Sequence, residues 1–431
     1  MFIAAALVVT RLLGLISGEH PLSLEVDGSV HHVTVARNGA TVATLDAPPW
    51  RTVVDFGAEL VPQEVTVTAF DAKGNELAHD TQLVNLPRPP AEAFIDLQKK
   101  GDRMKAVVRW QHIGGAKPQR LQVRLDGKKI SKGETSLTLP RIDLTNIHVI
   151  EAEIGFPGDV VAKKEVVFGG LYTDEEPAEL TGILARGDAA PRQNAEGEIP
   201  NCFAVDGTAV AARGVEKGSA LLLVVRNGDT RAIARTLELP SVFSRPAALT
   251  DFDLSGVQMR LIYPVAQSYR IAPNEPVVNL FDKSSLYDGE KGLWWLLTKV
   301  SGQQGWGALR YADAVSVAGV QALVDARRRA VVVLLDGERD ASRHSGVAVR
   351  RYLARIGVPL YVWSAVNVTP AMTEAWGEVR DVSTFDLLRD ATADLRKDLD
   401  QQWIVWLRAK PLDAIRAAAL PGCSLTPVAK P

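Results

Sequence analysis

Cysteine is nearly absent. The 431-residue chain has two, Cys202 and Cys423, and neither sits in a C-x-x-C pair or a Cys/His cluster. That excludes the ligand spacing of structural zinc and the dithiol motif of redox proteins. A single disulfide between them stays open to an exported chain. An excess of one charge is also lacking: 49 Lys+Arg face 51 Asp+Glu, for a formal net charge of -2. Nothing global would draw nucleic acid or an anionic membrane. The short basic run Arg327, Arg328, Arg329 leads into an apolar strand and reads as a solvated helix end. Histidine is scarce, and only His344 falls in the C-terminal half. It follows Ala-Ser-Arg at a helix start and is expected to be exposed. No G-x-S-x-G elbow, H-E-x-x-H helix or phosphate-binding G-x-x-x-x-G-K-[ST] loop occurs. Glu338 and Asp340 are acids two apart in a loop, with no nameable partner acid or base. The chain is therefore expected not to be an enzyme.

A long uninterrupted apolar run is missing too. MFIAAALVVTRLLGLIS is broken by Arg11, so it is a poor transmembrane helix. Residues 1–22 are expected to be a signal-peptide or anchor remnant, which makes the protein secreted or periplasmic. No other integral membrane segment is expected.

What is present falls into two grammars. Residues 23–86 carry short Val- and Thr-rich runs divided by Asp-Gly, Asn-Gly and Lys-Gly pairs, the pattern of a β-sandwich module. Residues 87–92 are a Pro-rich linker. A second β-sandwich module is expected over 93–172, where LQVRLDGKKI (121–130) answers VTVARNGATV (33–42). Residues 173–217 read as a linker. From 218 to 410, apolar strands such as ALLLVV, AVVVLL and PLYVWS alternate with amphipathic helices, which implies an α/β Rossmann-like domain. Residues 411–431 read as a loose tail. The fold class is thus multidomain, with tandem Ig-like β-sandwich modules before an α/β domain.

The stretch RRRAVVVLLDGERDASRHSGVAVRRYLARIGVPLYVWS resembles the second half of a von Willebrand factor type A domain, and the preceding modules resemble those of bacterial VWFA-related proteins. The resemblance implies protein binding, in many members through a Mg2+ ion at a metal-ion-dependent adhesion site. Its ligands there are an Asp-x-Ser-x-Ser loop after the first strand, a later Thr, and an Asp after the fourth strand. Carried over, the first three positions hold Arg226, Gly228 and Thr230, and Tyr311 and Asp313 stand near the missing Thr. Only Asp336 remains as a metal ligand, after Leu335 in place of a serine. An arginine puts positive charge where a hard cation wants oxygen. The site is therefore expected to be degenerate and no cofactor is expected, Mg2+ being the alternative. A second alignment would use Asp282 and Ser284 with Leu286. The plain reading of Asp336 and Gly337 is a turn leaving a strand, with Asp340 and Ser342 as solvated or capping residues.

Tryptophan is the other candidate. Trp294 and Trp295 adjoin on a helical pattern and Trp306 lies in a glycine-rich loop, which makes them a candidate interaction surface. The alternative packs them between domains, and Trp403 and Trp406 are expected in a core or lid. The leading function is a non-catalytic protein-binding or scaffolding role at the bacterial cell envelope or exterior, with a protein partner. The alternatives are metal-dependent adhesion at a non-standard site, or a purely structural envelope or secretion component whose homo-oligomer would use the aromatic surface.

Overall fold

The computed structural model describes residues 7–429 except 10–11, 13, 27, 88–90, 101–102, 113–116, 132, 144–147, 158–159, 169–179, 190–198, 229–251, 267–280, 290–291, 299, 301–307 and 325. The first β module pairs a three-stranded sheet (Val8–Val9, Glu19–Glu25, Arg51–Asp55) with a four-stranded one (Ala40–Leu45, His32–Arg37, Gln63–Phe70, Glu76–Val84). Strand alternation does the work here. In Gln63–Phe70 every second residue is buried, and Val33, Val35, Val65 and Val67 meet in one core.

Part of the stretch read as a leader, Val9, Leu12 and Ile16, packs into that core. Val9 pairs with Leu24, and Val9, Leu12 and Ile16 are buried with the module's valines. The Leu12 and Ile16 amides donate to the side chains of Gln82 and Asn85. Apolar composition alone cannot tell a leader from a buried strand.

The second module repeats the plan with three strands (Ala91–Lys100, Arg103–His112, Ser136–Thr138) and four (Lys128–Lys129, Arg120–Leu125, His148–Gly155, Val161–Phe168). Both modules close a hairpin with two successive residues of positive φ, Asn38-Gly39 and Asp126-Gly127.

Asp206-Gly207 does the same in a third β unit, which stands where a linker was expected over 173–217. Its six-stranded sheet runs Ala418–Ala419, Ile199–Val205, Thr208–Glu216, Gln402–Arg408, Leu180–Arg186, Thr426–Pro427. The sheet therefore also takes in residues read as a tail, and a strand assigned to the α/β domain. Cys202 and Cys423 are disulfide-bonded across it. Trp403 and Trp406 stand on its central strand, donating to Gly187 O and to Glu216 Oε1.

The α/β domain is inserted into this third unit. The chain leaves at Glu216, which pairs with Ile404, and returns at Gln402. Lys217 marks the crossing: its ammonium donates to the Asp400 carbonyl and lies 3.8 Å from the centre of the Trp403 ring. The inserted strands are β1 (Ala220–Arg226), β2 (Val257–Ala266), β3 (Phe281–Lys283), β4 (Arg328–Leu335), β5 (Leu360–Ser364) and β6 (Arg380–Asp381). Their order is β3-β2-β1-β4-β5-β6, parallel except for the edge strand β3, and a two-residue strand, Tyr287–Asp288, also pairs antiparallel with β2. The helices are α1 (Gly292–Thr298), α2 (Tyr311–Leu323), α3 (Gly346–Arg355), α4 (Pro370–Trp376) and α5 (Phe385–Gln401). Residues of α2 and α3 share one core cluster with one face of β1 and β4, while α1 and α5 share another with the opposite face. Covered on both sides, β1 and β4 are buried along nearly their whole length, which is why they read as unbroken apolar runs. Such a doubly wound sheet offers its site at the carboxyl ends, where the order reverses between β1 and β4.

Candidate site at the carboxyl edge of the sheet

β1 ends on Arg226, followed by Asn227, and β4 ends on Leu335, followed by Asp336 and by Gly337 at φ 87. The edge is therefore built where a metal ligand was expected, but Asp336 is already engaged. Its Oδ1 accepts from the Tyr311 hydroxyl at 2.7 Å and from the Glu338 amide at 3.2 Å. Its Oδ2 accepts from the Asn227 side chain at 2.9 Å. Tyr311 is buried, and burial, with the Asp336 carboxylate beside it, pushes its hydroxyl pKa well up, so it stays a donor.

Arg226 does not occupy the edge itself. Its guanidinium is folded into the domain, 2% exposed, and donates to the carbonyls of Leu296 and Val300 at the end of α1 and to that of Asn227. A cation there meets the carbonyls that a helix leaves unpaired. Burial pushes its pKa down to about 10, which still leaves it charged at neutral pH. Thr230 lies outside the described residues, and so does the side chain of Asp282. Ser284 bonds the Leu261 amide on β2 through its hydroxyl, a strand-pairing role. Among the described residues no group of three or more His, Cys, Asp or Glu is placed to hold a metal ion.

Two further carboxylates complete the edge. Asp340 caps α2, accepting from the Tyr311 and Ala312 amides at 2.9 and 3.2 Å, and Ser342 supports it with its hydroxyl at 2.5 Å. The helix needs this distant cap because its own N-cap, Arg310, makes no side-chain capping bond. Asp313, fully buried, accepts from Arg310 Nε at 2.8 Å, the Arg343 amide at 2.9 Å and His344 Nδ1 at 3.1 Å. Burial raises its carboxyl pKa, but His344, the Arg343 amide and the Arg310 charge together outweigh burial and hold it below the usual value.

His344 is covered rather than exposed, because the first β module lies against it. Its Nε2 is 3.3 Å from the Ser17 hydroxyl. Ser17, His344 and Asp313 thus line up atom for atom like a nucleophile, base and orienting acid. The Gly18 amide next to Ser17 is donated to Gly57 O at 2.6 Å. Asp313 is also shared with Arg310. The row joins the two units, and its neighbours do the same. Tyr352 donates to Asn85 O at 2.8 Å, Arg351 and Arg355 clasp Glu59 at 2.7 and 2.8 Å, and Leu15, Leu60 and Leu86 enter the α2–α3 core.

Trp294 and Trp295 are half-buried against the core, Trp295 edge-on to Tyr287 at 4.9 Å. They pack α1 onto the sheet rather than forming an open aromatic patch; Trp306 lies outside the described residues.

No family model and no curated protein matches the chain. Among solved structures, it is similar to fibronectin(III)-like modules of Clostridium thermocellum CbhA, at 12% identity over 40% of this chain and 100% of that one, with a TM-score of 0.16. It is similar to the central fibronectin-III array of RIM-binding protein at 13% identity, over 47% of this chain and 84% of that one, with a TM-score of 0.23. A third is a bacterial ice-binding adhesin, at 12% identity over 48% and 82% of the two chains, with a TM-score of 0.15. None of these three is a von Willebrand A domain. At such scores the architecture rests on the strand pairing described above.

Proposed function

We propose that this is a non-catalytic protein-binding or scaffolding protein of the bacterial cell envelope or exterior. In this reading the inserted α/β domain is a von Willebrand A-like module that works without a cation. One observation carries the reading: Asp336, the sole carboxylate left of the adhesion-site pattern, has both oxygens bonded inside the protein, to Tyr311, Glu338 and Asn227. A divalent ion would have to displace a buried tyrosine hydroxyl to reach it. The disulfide between Cys202 and Cys423 supports an oxidising, exported location. No helix among the described residues is long and apolar enough to cross a membrane.

The test is the melting temperature of the full chain in millimolar Mg2+, Mn2+ and Ca2+, beside Asp336→Asn. The expected result is no ion-dependent rise in either protein. A rise of several degrees in the parent that Asp336→Asn abolishes would replace this reading with cation-bridged adhesion.

A further inference from the structure

The opposite flank of the α/β domain carries two cations, Arg260 and Lys283, that no described carboxylate neutralises. Arg260 on β2 and Lys283 on the edge strand β3 are neighbours across the sheet, since Lys283 pairs with Ile262, two residues along from Arg260. On strands this places both side chains on one face, with Gln258 two residues before. Arg327, just ahead of β4, reaches the same place, donating to Gln258 Oε1 at 2.9 Å.

Neither Arg260 nor Lys283 forms an ion pair with any described carboxylate, in contrast to surface arginines elsewhere in the domain. Arg389, for example, is held by both Asp386 and Asp390. The Nε of Arg260 is shielded from water and has no hydrogen-bond acceptor among the described residues. A polar group in that state costs free energy unless something supplies the missing acceptor. Partial burial holds both groups below their ordinary pKa values, followed by the charge of Arg327 on Arg260 and of Arg260 on Lys283.

We propose that Arg260 and Lys283, with Gln258 and Arg327 at the margin, bind a dianionic oxyanion, a phosphate or sulfate group. Arginine presents a planar fork of N–H donors that fits two oxygens of such a group, and lysine adds a mobile point charge. A dianion would supply the acceptor that Arg260 Nε lacks and cancel the repulsion between the two cations. The site lies at the β2–β3 edge, on the far side of β1 from Asp336. It therefore does not depend on the function proposed above.

The experiment is calorimetric titration of the full chain with inorganic phosphate and with sulfate, against chloride at equal ionic strength. Vesicles carrying phosphatidic acid form a separate arm that distinguishes a lipid headgroup from a free ion. Saturable binding of the ion or the vesicle is expected, at least tenfold weaker in Arg260→Gln/Lys283→Gln. Lys283→Gln alone, at an exposed position, should weaken it by several-fold, and Arg389→Gln should leave it unchanged. Absence of binding in every arm, or binding that is the same in the double variant, would overturn the proposal.

Discussion

The carboxyl edge and the β2–β3 edge of one sheet handle charge in opposite ways. At the first, Asp313, Asp336 and Asp340 have every visible demand met from within, by Arg310, His344, Tyr311, Asn227, Ser342 and backbone amides. At the second, Arg260 and Lys283 have no counterion at all among the described residues. A satisfied polar network rigidifies and specifies a structure, whereas charges left together without partners are tolerated where something from outside completes them. In the readings proposed above, structure falls to the edge that looked functional in the sequence, and binding to one that attracted no notice there.

Four substitutions and conditions would sharpen or break that contrast. The largest effect should come from Asp313→Ala, which strands Arg310 and His344 beside a buried void. Removing one partner of a buried pair costs about 3 kcal/mol, to be read in urea unfolding of the full chain. A loss below about 1 kcal/mol would mean that the network is not holding the edge. Asp313 should also shape the acid limb of stability. Its folded pKa is depressed below the ordinary 3.8, so its contribution is complete above that value and lost as pH falls through the lower folded one. In Asp313→Asn this part of the pH dependence should flatten, and an unchanged acid limb would contradict the assignment. Tyr311→Phe should cost about 1.5 kcal/mol, the worth of a hydrogen bond to a charged acceptor. If Asp336 were instead a cation ligand, the loss of Tyr311 would be repaired by added Mg2+. The smallest effect is expected at the other edge: Arg260→Gln/Lys283→Gln should change ligand-free stability by less than about 0.5 kcal/mol, with relief of repulsion favouring the fold. A large destabilisation there would show that the two cations are structural after all.

How much of this could be read in advance depended on sequence distance. Local signals served well. Asn38-Gly39 and Asp126-Gly127 turn as their composition requires, and AVVVLL and ALLLVV are central strands because both faces are covered. Asp336 could be placed at a strand end for the same reason. The third β unit was not legible, because its sheet joins 180–216 to 402–428 across the whole inserted domain, and no local pattern announces such pairing. One clue was available: Asp206-Gly207 repeats the hairpin turn of the two modules before it. The N-terminal run was ambiguous in principle, since a leader and a buried strand draw on the same residues. The contacts of His344 were likewise beyond local reading, because its partners Ser17 and Asp313 lie 327 and 31 residues away. The lack of counterions for Arg260 and Lys283 among the described residues could not be read from the sequence, because it becomes visible only once the strands are in register.

The central claim is that the carboxyl edge is closed to divalent ions because its acids are already spent on the protein. Electron paramagnetic resonance of Mn2+ mixed with the full chain tests it most directly, since bound Mn2+ disappears from the free-ion signal. The expected result is that the free Mn2+ signal at millimolar ion is the same with the parent chain as with Asp336→Asn. One equivalent of bound Mn2+ that is present in the parent and lost in Asp336→Asn would contradict it.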